Sequence, residues 1–296
     1  MYDIIIVGAG PAGLTAAIYA LRANKKVLIL EAKCYGGQIV NAAKVENYPG
    51  IESISGFDYA QTLFNQVSKL GGEVKYETVL KIKEDKTVIT KKDTYSAKTI
   101  ILATGAENRK LGLPNESDFI GKGVSYCATC DGNFYTEKEV AVVGGGNTAL
   151  TDAIYLSSIA KKVYLIHRRD TFKGEEKYVK ELKNKKNIEF IINSHITKLN
   201  GQEKILSIEV EDNDKNKTML EVAGLFIAVG QEPKNQIFAD LIEINEAGYI
   251  ESKDGVHTNI EGIYVAGDAR VKNLRQLVTA ASDGAIAATT AIKEMK

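Results

Sequence analysis

Twice along the chain a short apolar run stops at a glycine cluster, and each time a helical pattern and a second apolar run follow. The first copy is Tyr2-Asp3-Ile4-Ile5-Ile6-Val7, then Gly8-Ala9-Gly10-Pro11-Ala12-Gly13, then small and apolar residues at helical spacing to about Ala23. Its second apolar run, Val27 to Leu30, ends on Glu31. The second copy is Glu139-Val140-Ala141-Val142-Val143, then Gly144-Gly145-Gly146-Asn147-Thr148-Ala149, and a helical stretch to about Ile159. Its closing run, Val163 to Ile166, ends on His167. Continuous apolar runs bounded by turn residues suit strands buried on both faces of a parallel sheet.

Elsewhere the pattern predicts a helix from about Gly56 to Leu70, closed by Gly71-Gly72. Alternating residues between Glu73 and Ala97 read as a small antiparallel meander, and Thr99 to Ala103 as a buried strand ending at Thr104-Gly105. Ile205 to Val210 and Thr218 to Ala223 flank the polar stretch Glu211 to Lys217 as a hairpin. Gly262 to Ala266 is a further strand, ending on Gly267-Asp268, and a last helix starts near Arg275. The expected fold is α/β: two Rossmann-like three-layer domains, one inserted into the other. Residues 1–113 and 240–296 form the first and residues 114–239 the second, with crossings near Leu113 and Ala239.

A glycine turn between a buried strand and a helix is a dinucleotide-binding fingerprint. The glycines let the backbone approach a pyrophosphate, and the helix N-terminus meets its charge with free N–H groups. The copies differ where the second strand ends, beside the adenosine ribose. Glu31 can accept hydrogen bonds from a free 2′-hydroxyl and would repel a 2′-phosphate. His167-Arg168-Arg169 offers cationic donors suited to a phosphate. The first copy is therefore expected to hold the adenosine of FAD or NAD, and the second that of NADPH.

Composition narrows the partners. The 296 residues are 44% hydrophobic and 26% charged, an ordinary globular balance in a chain long enough for two domains. Lys+Arg and Asp+Glu both count 38, so there is no basic surplus for nucleic acid or an anionic membrane. No apolar run approaches the ~20 residues needed to cross a bilayer. The opening residues lack the basic lead of a signal peptide, so a cytoplasmic location is expected.

The cysteines narrow the chemistry. Cys34 is alone, whereas Cys127 and Cys130 form a Cys-x-x-Cys pair, which in a reducing compartment is redox-active or metal-binding. A zinc ion needs about four ligands, and the three histidines lie away from the pair. Redox chemistry without a metal is the expectation.

With Ser125-Tyr126-Cys127-Ala128-Thr129-Cys130-Asp131-Gly132 set just ahead of the second glycine turn, the chain closely resembles the low-molecular-weight, bacterial-type thioredoxin reductases over essentially its whole length. The resemblance implies FAD in the first domain, on Gly8, Gly10, Pro11, Ala12, Gly13 and Glu31. Gly36, Gly37, Gln38, Asn47, the strand end Ala103-Thr104-Gly105, Gly267, Asp268 and Arg275-Gln276-Leu277 would lie toward the flavin. It implies NADPH in the second domain, on Gly144, Gly146, Asn147, Thr148, Ala149, His167, Arg168, Arg169 and Lys173. Electrons would run from NADPH through the flavin to a Cys127–Cys130 disulfide and on to thioredoxin. By the same likeness Cys130 faces the flavin, Cys127 attacks the partner and Asp131 moves the proton. A homodimer and rotation of one domain against the other about the two crossings also follow from it. Lys173 stands where the family has a third arginine, and Thr151-Asp152 where it commonly has glutamates. A related dithiol reductase with another electron donor or another protein disulfide as partner is the second reading. The flavin ferredoxin–NADP reductases share the layout but lack the cysteine pair. Cys34 reads as an incidental thiol, and His195 and His257 as non-catalytic.

Overall fold

The computed structural model describes residues 1–42 and 44–295. The chain begins β1 (Tyr2–Val7), α1 (Pro11–Arg22), β2 (Val27–Glu31), α2 (Gly56–Lys69), β3 (Glu73–Tyr76), β4 (Val79–Ile82) and β5 (Thr87–Thr90). It continues through β6 (Thr94–Leu102), β7 (Ala106–Asn108), β8 (Val124–Ser125), α3 (Ala128–Asp131), β9 (Glu139–Val143), α4 (Asn147–Ser157) and β10 (Lys162–Ile166). Then come α5 (Glu176–Lys183), β11 (Ile188–Ile191), β12 (Ser194–Gly201), β13 (Ile205–Asp212), β14 (Lys217–Glu221) and β15 (Gly224–Ile227). The last elements are β16 (Gln231–Pro233), β17 (Ile263–Val265) and α6 (Leu277–Glu294). Two compact units result: Met1–Glu107 with Glu232–Lys296, and Asn108–Gln231.

In the first unit a parallel sheet runs β3-β2-β1-β6, with β17 also paired to β6. The nine residues of β6 serve two neighbours on one side. Thr94 to Ser96 pair antiparallel with β5, and Ile100 to Leu102 pair parallel with β17. The burial pattern changes at the same place, from alternating to continuous, because only the second half is covered on both faces.

One face of this sheet is covered by α1 and α6, which meet through small residues: Ala16, Ala17 and Ala20 with Ala287, Ala288 and Ala291. The other face buries Val79, Ile82, Val88, Phe238, Ile242 and Ile250. The approach of α1 to the glycine turn is so close that a β-carbon on Gly13 would overlap the Gly8 carbonyl oxygen. Overpacking of this kind costs about 2 kcal/mol. Gly13→Ala is therefore expected to lower the melting temperature by about 4–8 °C, measured by differential scanning calorimetry against the parent protein.

The second unit repeats the plan with a parallel sheet β11-β10-β9-β15-β8. Its α-helical face buries Ala149, Leu150, Ala153 and Leu156 of α4 with Leu182 of α5. The opposite face is covered by an antiparallel meander, β12-β13-β14, through Ile196, Leu199, Ile208, Val210 and Leu220. Among the described residues no helix is long and apolar enough to cross a membrane.

The three-layer α/β fold is as the periodicity indicates. Within it, β3 departs from expectation: it pairs parallel with β2 rather than opening the meander, which is confined to β4, β5 and β6. As an edge strand β3 has one neighbour and half-exposed sides, and that leaves the same alternating trace as an antiparallel strand. Periodicity also misses β12, α3 and α5.

Candidate functional site

Cys127 and Cys130 are joined in a disulfide with their Cα atoms 5.3 Å apart. Cys127 occupies the N-cap position of α3, and its carbonyl accepts the N–H groups of Cys130 and Asp131. One turn of helix thereby brings the two sulfurs together and sets Asp131 directly behind the second. The buried Ser125 at the end of β8 organises the group. Its hydroxyl donates to Asp131 Oδ2 at 2.6 Å, and its Oγ accepts the Cys127 N–H at 3.1 Å. Burial raises the Asp131 pKa above the usual aspartate range, with the Ser125 hydrogen bond opposing it in part. The Thr129 hydroxyl lies 3.4 Å from Cys127 Sγ. Behind the loop, buried Glu116 accepts the Tyr126 hydroxyl and the N–H groups of Leu111, Gly112 and Leu113.

In the first unit α1 starts on Gly10 and Pro11 with no side-chain cap, so its first turn is not closed off by the protein. Gly36 and Gly37 fold over this turn, with the Gly36 N–H donating to Ala9 O. At the end of β2 the Glu31 carboxylate accepts the N–H groups of Ala9 and Lys33, which holds it beside the turn. Gln38 follows in a short 3-10 turn, and Ala103, after β6, passes directly under Gly8. Exposed Asn47 donates to Gln276 Oε1 at 3.1 Å. Gln276 is itself the N-cap of α6, in a capping box with Thr279, and Leu277 opens the helix. Arg275 lays its guanidinium over the Tyr249 ring at 4.1 Å. Asp268 Oδ1 and Arg275 Nε are buried with no hydrogen-bond partner among the described residues, the Lys272 ammonium standing 4.0 Å from Asp268 Oδ1.

Two residues that sequence reasoning missed hold this region. Asn235, fully buried, receives the Thr104 hydroxyl and donates to the carbonyls of Gly248 and Ala269. Asp283 of α6 accepts the Gly267 N–H, Arg270 and Lys272 at 2.9–3.0 Å. Burial pushes the Asp283 pKa up, but the hydrogen bonds from Arg270 and Lys272 outweigh it and hold the group below the usual range. Its signal was a lone acid within the small-residue run from Ala280 to Ala288.

In the second unit α4 starts at Gly146 and Asn147, again without a side-chain cap, with Thr148 exposed and Ala149 buried beneath. Gly144 crosses β15's exit, close to the Ala228 carbonyl. The structure divides the expected cationic trio. Arg168 and Arg169 are exposed, as is Lys173, whereas His167 is buried with Nε2 at 3.1 Å from the Thr171 carbonyl. Burial lowers the His167 pKa, and Arg168 and Arg169 lower it further. The buried ring is packed against Phe172 rather than exposed beside Arg168 and Arg169. Cys34, in the loop between Glu31 and Gly36, is a free, exposed thiol, and His195 lies exposed on β12. His257 bonds to Glu294 near the end of α6.

The pyridine nucleotide-disulphide oxidoreductase family model matches residues 2–285. The chain is 42% identical to the thioredoxin reductase of Listeria innocua, covering 99% of this chain and 93% of that one. It is 44% identical to the thioredoxin reductase of Mycoplasma genitalium, covering 97% and 93%. The crystal structure of thioredoxin reductase from Streptococcus pyogenes superposes with a TM-score of 0.95 at 40% identity, over 99% of this chain and 98% of that one. With residues 2–285 matched and a disulfide set before the second glycine turn, the chain belongs to the pyridine nucleotide-disulphide oxidoreductase family.

Proposed function

We infer that the chain is an FAD-containing, NADPH-dependent thioredoxin-disulfide reductase. The observation that carries this reading is the Cys127–Cys130 disulfide on a single helical turn, with Asp131 and Ser125 hydrogen-bonded beside it. Relatives named thioredoxin reductase match the chain from end to end and support thioredoxin as the partner.

The residues fit both cofactors. Buried polar atoms without hydrogen-bond partners are rare in folded proteins, and Asp268 Oδ1 and Arg275 Nε suit the hydroxyl and ring-edge groups of a flavin. The uncapped start of α1 suits its pyrophosphate, and Glu31 the adenosine ribose. In the second unit the uncapped start of α4 suits a second pyrophosphate, with Arg168, Arg169 and Lys173 for the 2′-phosphate. When bound, the two cofactors supply the electron pair that opens the disulfide.

The chain's own groups do the rest. Opening the S–S bond leaves Cys127 as a thiolate with the Thr129 hydroxyl close by. Cys127 attacks a sulfur of the partner's disulfide, and Cys130 then displaces the partner by closing on Cys127. Asp131, whose protonated form burial favours, hands its proton to the sulfur that leaves. Ser125 fixes acid and nucleophile to one hydroxyl and so to one geometry. A homodimer in the cytoplasm, with the units rotating during turnover, completes the proposal. A cross-link between the units that spared turnover would remove rotation from it.

Anaerobic titration tests the whole relay. NADPH is expected to bleach the flavin absorbance at lower concentration than NADH, and oxidised thioredoxin to restore it. Bleaching by dithionite alone, with thioredoxin still restoring the colour, would keep the dithiol chemistry and dismiss NADPH as donor.

A further inference from the structure

The loop that carries Arg168, Arg169 and Lys173 is hydrogen-bonded to the glycine turn of the second unit at its C-terminal end. The N–H groups of Lys173 and Gly174 both donate to the Gly145 carbonyl, at 2.8 and 3.0 Å. One residue further on, the Glu175 N–H donates to Asn147 Oδ1 at 2.7 Å, and Asn147 Nδ2 donates back to Glu175 Oε1 at 3.1 Å. Inside the loop the buried His167 ring stacks on Phe172, with centroids 5.0 Å apart and planes 20° from parallel. The same ring lies so close against Gly145 that a β-carbon there would overlap it.

Two features of this arrangement need a physical reason. Arg168, Arg169 and Lys173 are long, exposed and of like charge, so a free loop would spread them, and ordering such side chains costs rotamer entropy. Glu175 is an acid beside a region that suits phosphates, where a carboxylate is unfavourable unless it is engaged elsewhere. Here it is engaged, by the Asn147 amide and by Lys177 at 2.7 Å.

We propose that Asn147 and Glu175 form a clasp that presets the cationic loop, so that Glu175 is a positioning residue for recognition of a 2′-phosphate it does not touch. The proposal rests on the reading of the second unit as the NADPH site. A loop that spends only part of its time in the competent arrangement weakens binding by that fraction. The loss falls on the 2′-phosphate alone, because the glycine turn and the start of α4 stay as they are.

Calorimetric titration of the holoprotein with 2′,5′-ADP and with 5′-AMP separates the possibilities. Glu175→Ala is expected to weaken 2′,5′-ADP about tenfold and 5′-AMP by less than about twofold. The Glu175 side chain is 52% exposed, so its truncation opens no core. Glu175→Gln keeps an acceptor for the Asn147 amide and is expected to stay near the parent, as is Lys177→Ala, which removes only the ion pair. An equal loss for both nucleotides in Glu175→Ala would reduce the clasp to general structural support and overturn the proposal. The double variant Arg168→Ala/Arg169→Ala tests the reading beneath it. If that variant keeps its preference for 2′,5′-ADP, the NADPH site itself is misassigned. If it loses the preference while Glu175→Ala keeps it, the clasp alone is wrong.

Discussion

Replacing Cys130 by serine is expected to leave a flavin-containing protein whose thioredoxin-reducing turnover falls by more than about a thousandfold, since a group acting as a unit with its partner takes nearly all activity with it. A serine oxygen cannot close a bond onto Cys127, so neither the resting disulfide nor the step that releases the partner can form. The variant should also reveal which cysteine does what. With Cys130 gone, Cys127 remains as a thiol beside the Thr129 hydroxyl at the start of α3. Mixed with a single-cysteine thioredoxin activated by thionitrobenzoate, Cys130→Ser should form a stable mixed disulfide and release the yellow thiolate. Cys127→Ser should form it far more slowly. Trapping by Cys127→Ser in preference would reverse the two roles, and turnover retained in either variant would remove the disulfide from the relay.

The parts of this site that announce themselves in the sequence are those whose chemistry demands a rare residue type at a fixed spacing. Glycine turns between apolar runs are of this kind, because the close passage of α1 over Gly8 excludes a side chain at Gly13. The cysteine pair is another, since one helical turn is what brings Cys127 and Cys130 within bonding distance. The supports are different. Ser125, Asn235, Glu116 and Asp283 act through hydrogen bonds to backbone groups or to common side chains, and several reach far along the chain. No local pattern marks a serine or an asparagine for that task. The edge strand β3 hid for a related reason: one neighbour and an exposed alternate face leave the same trace in either strand direction. The trio at 167–169 was legible as a phosphate-binding place but not in its division of labour. Only the packing of His167 on Gly145 and Phe172 shows which member is buried rather than exposed.

The substitution Asp131→Asn separates the catalytic demand on this carboxyl from its cost to the fold. The amide introduced there would still accept the Ser125 hydrogen bond and fill the same space, but it could hold no transferable proton. General acid–base contributions are worth about 10²–10⁴-fold, and because thiols ionise with some help from solvent, a loss of about a hundredfold in thioredoxin reduction is expected. The pH profile carries more information than the rate. Burial raises the Asp131 pKa, so its protonated fraction falls as pH rises through that raised value. The parent should therefore lose activity along an alkaline limb that the variant lacks. Stability should move the other way. A carboxyl whose pKa is higher in the folded than in the unfolded state adds stability that is complete below the unfolded value and lost as pH climbs through the folded one. Above the ordinary aspartate range the parent must either hold a proton there or bury a poorly solvated carboxylate, whereas the variant carries a neutral amide. Asp131→Asn should thus melt higher than the parent at neutral pH and level with it in acid below the ordinary aspartate range. A variant that is slower yet more stable at pH 7 would mark Asp131 as a group kept for proton transfer at the expense of the fold. A variant that is slower and also less stable would make the carboxyl a structural partner of Ser125, and the proton would have to come from elsewhere.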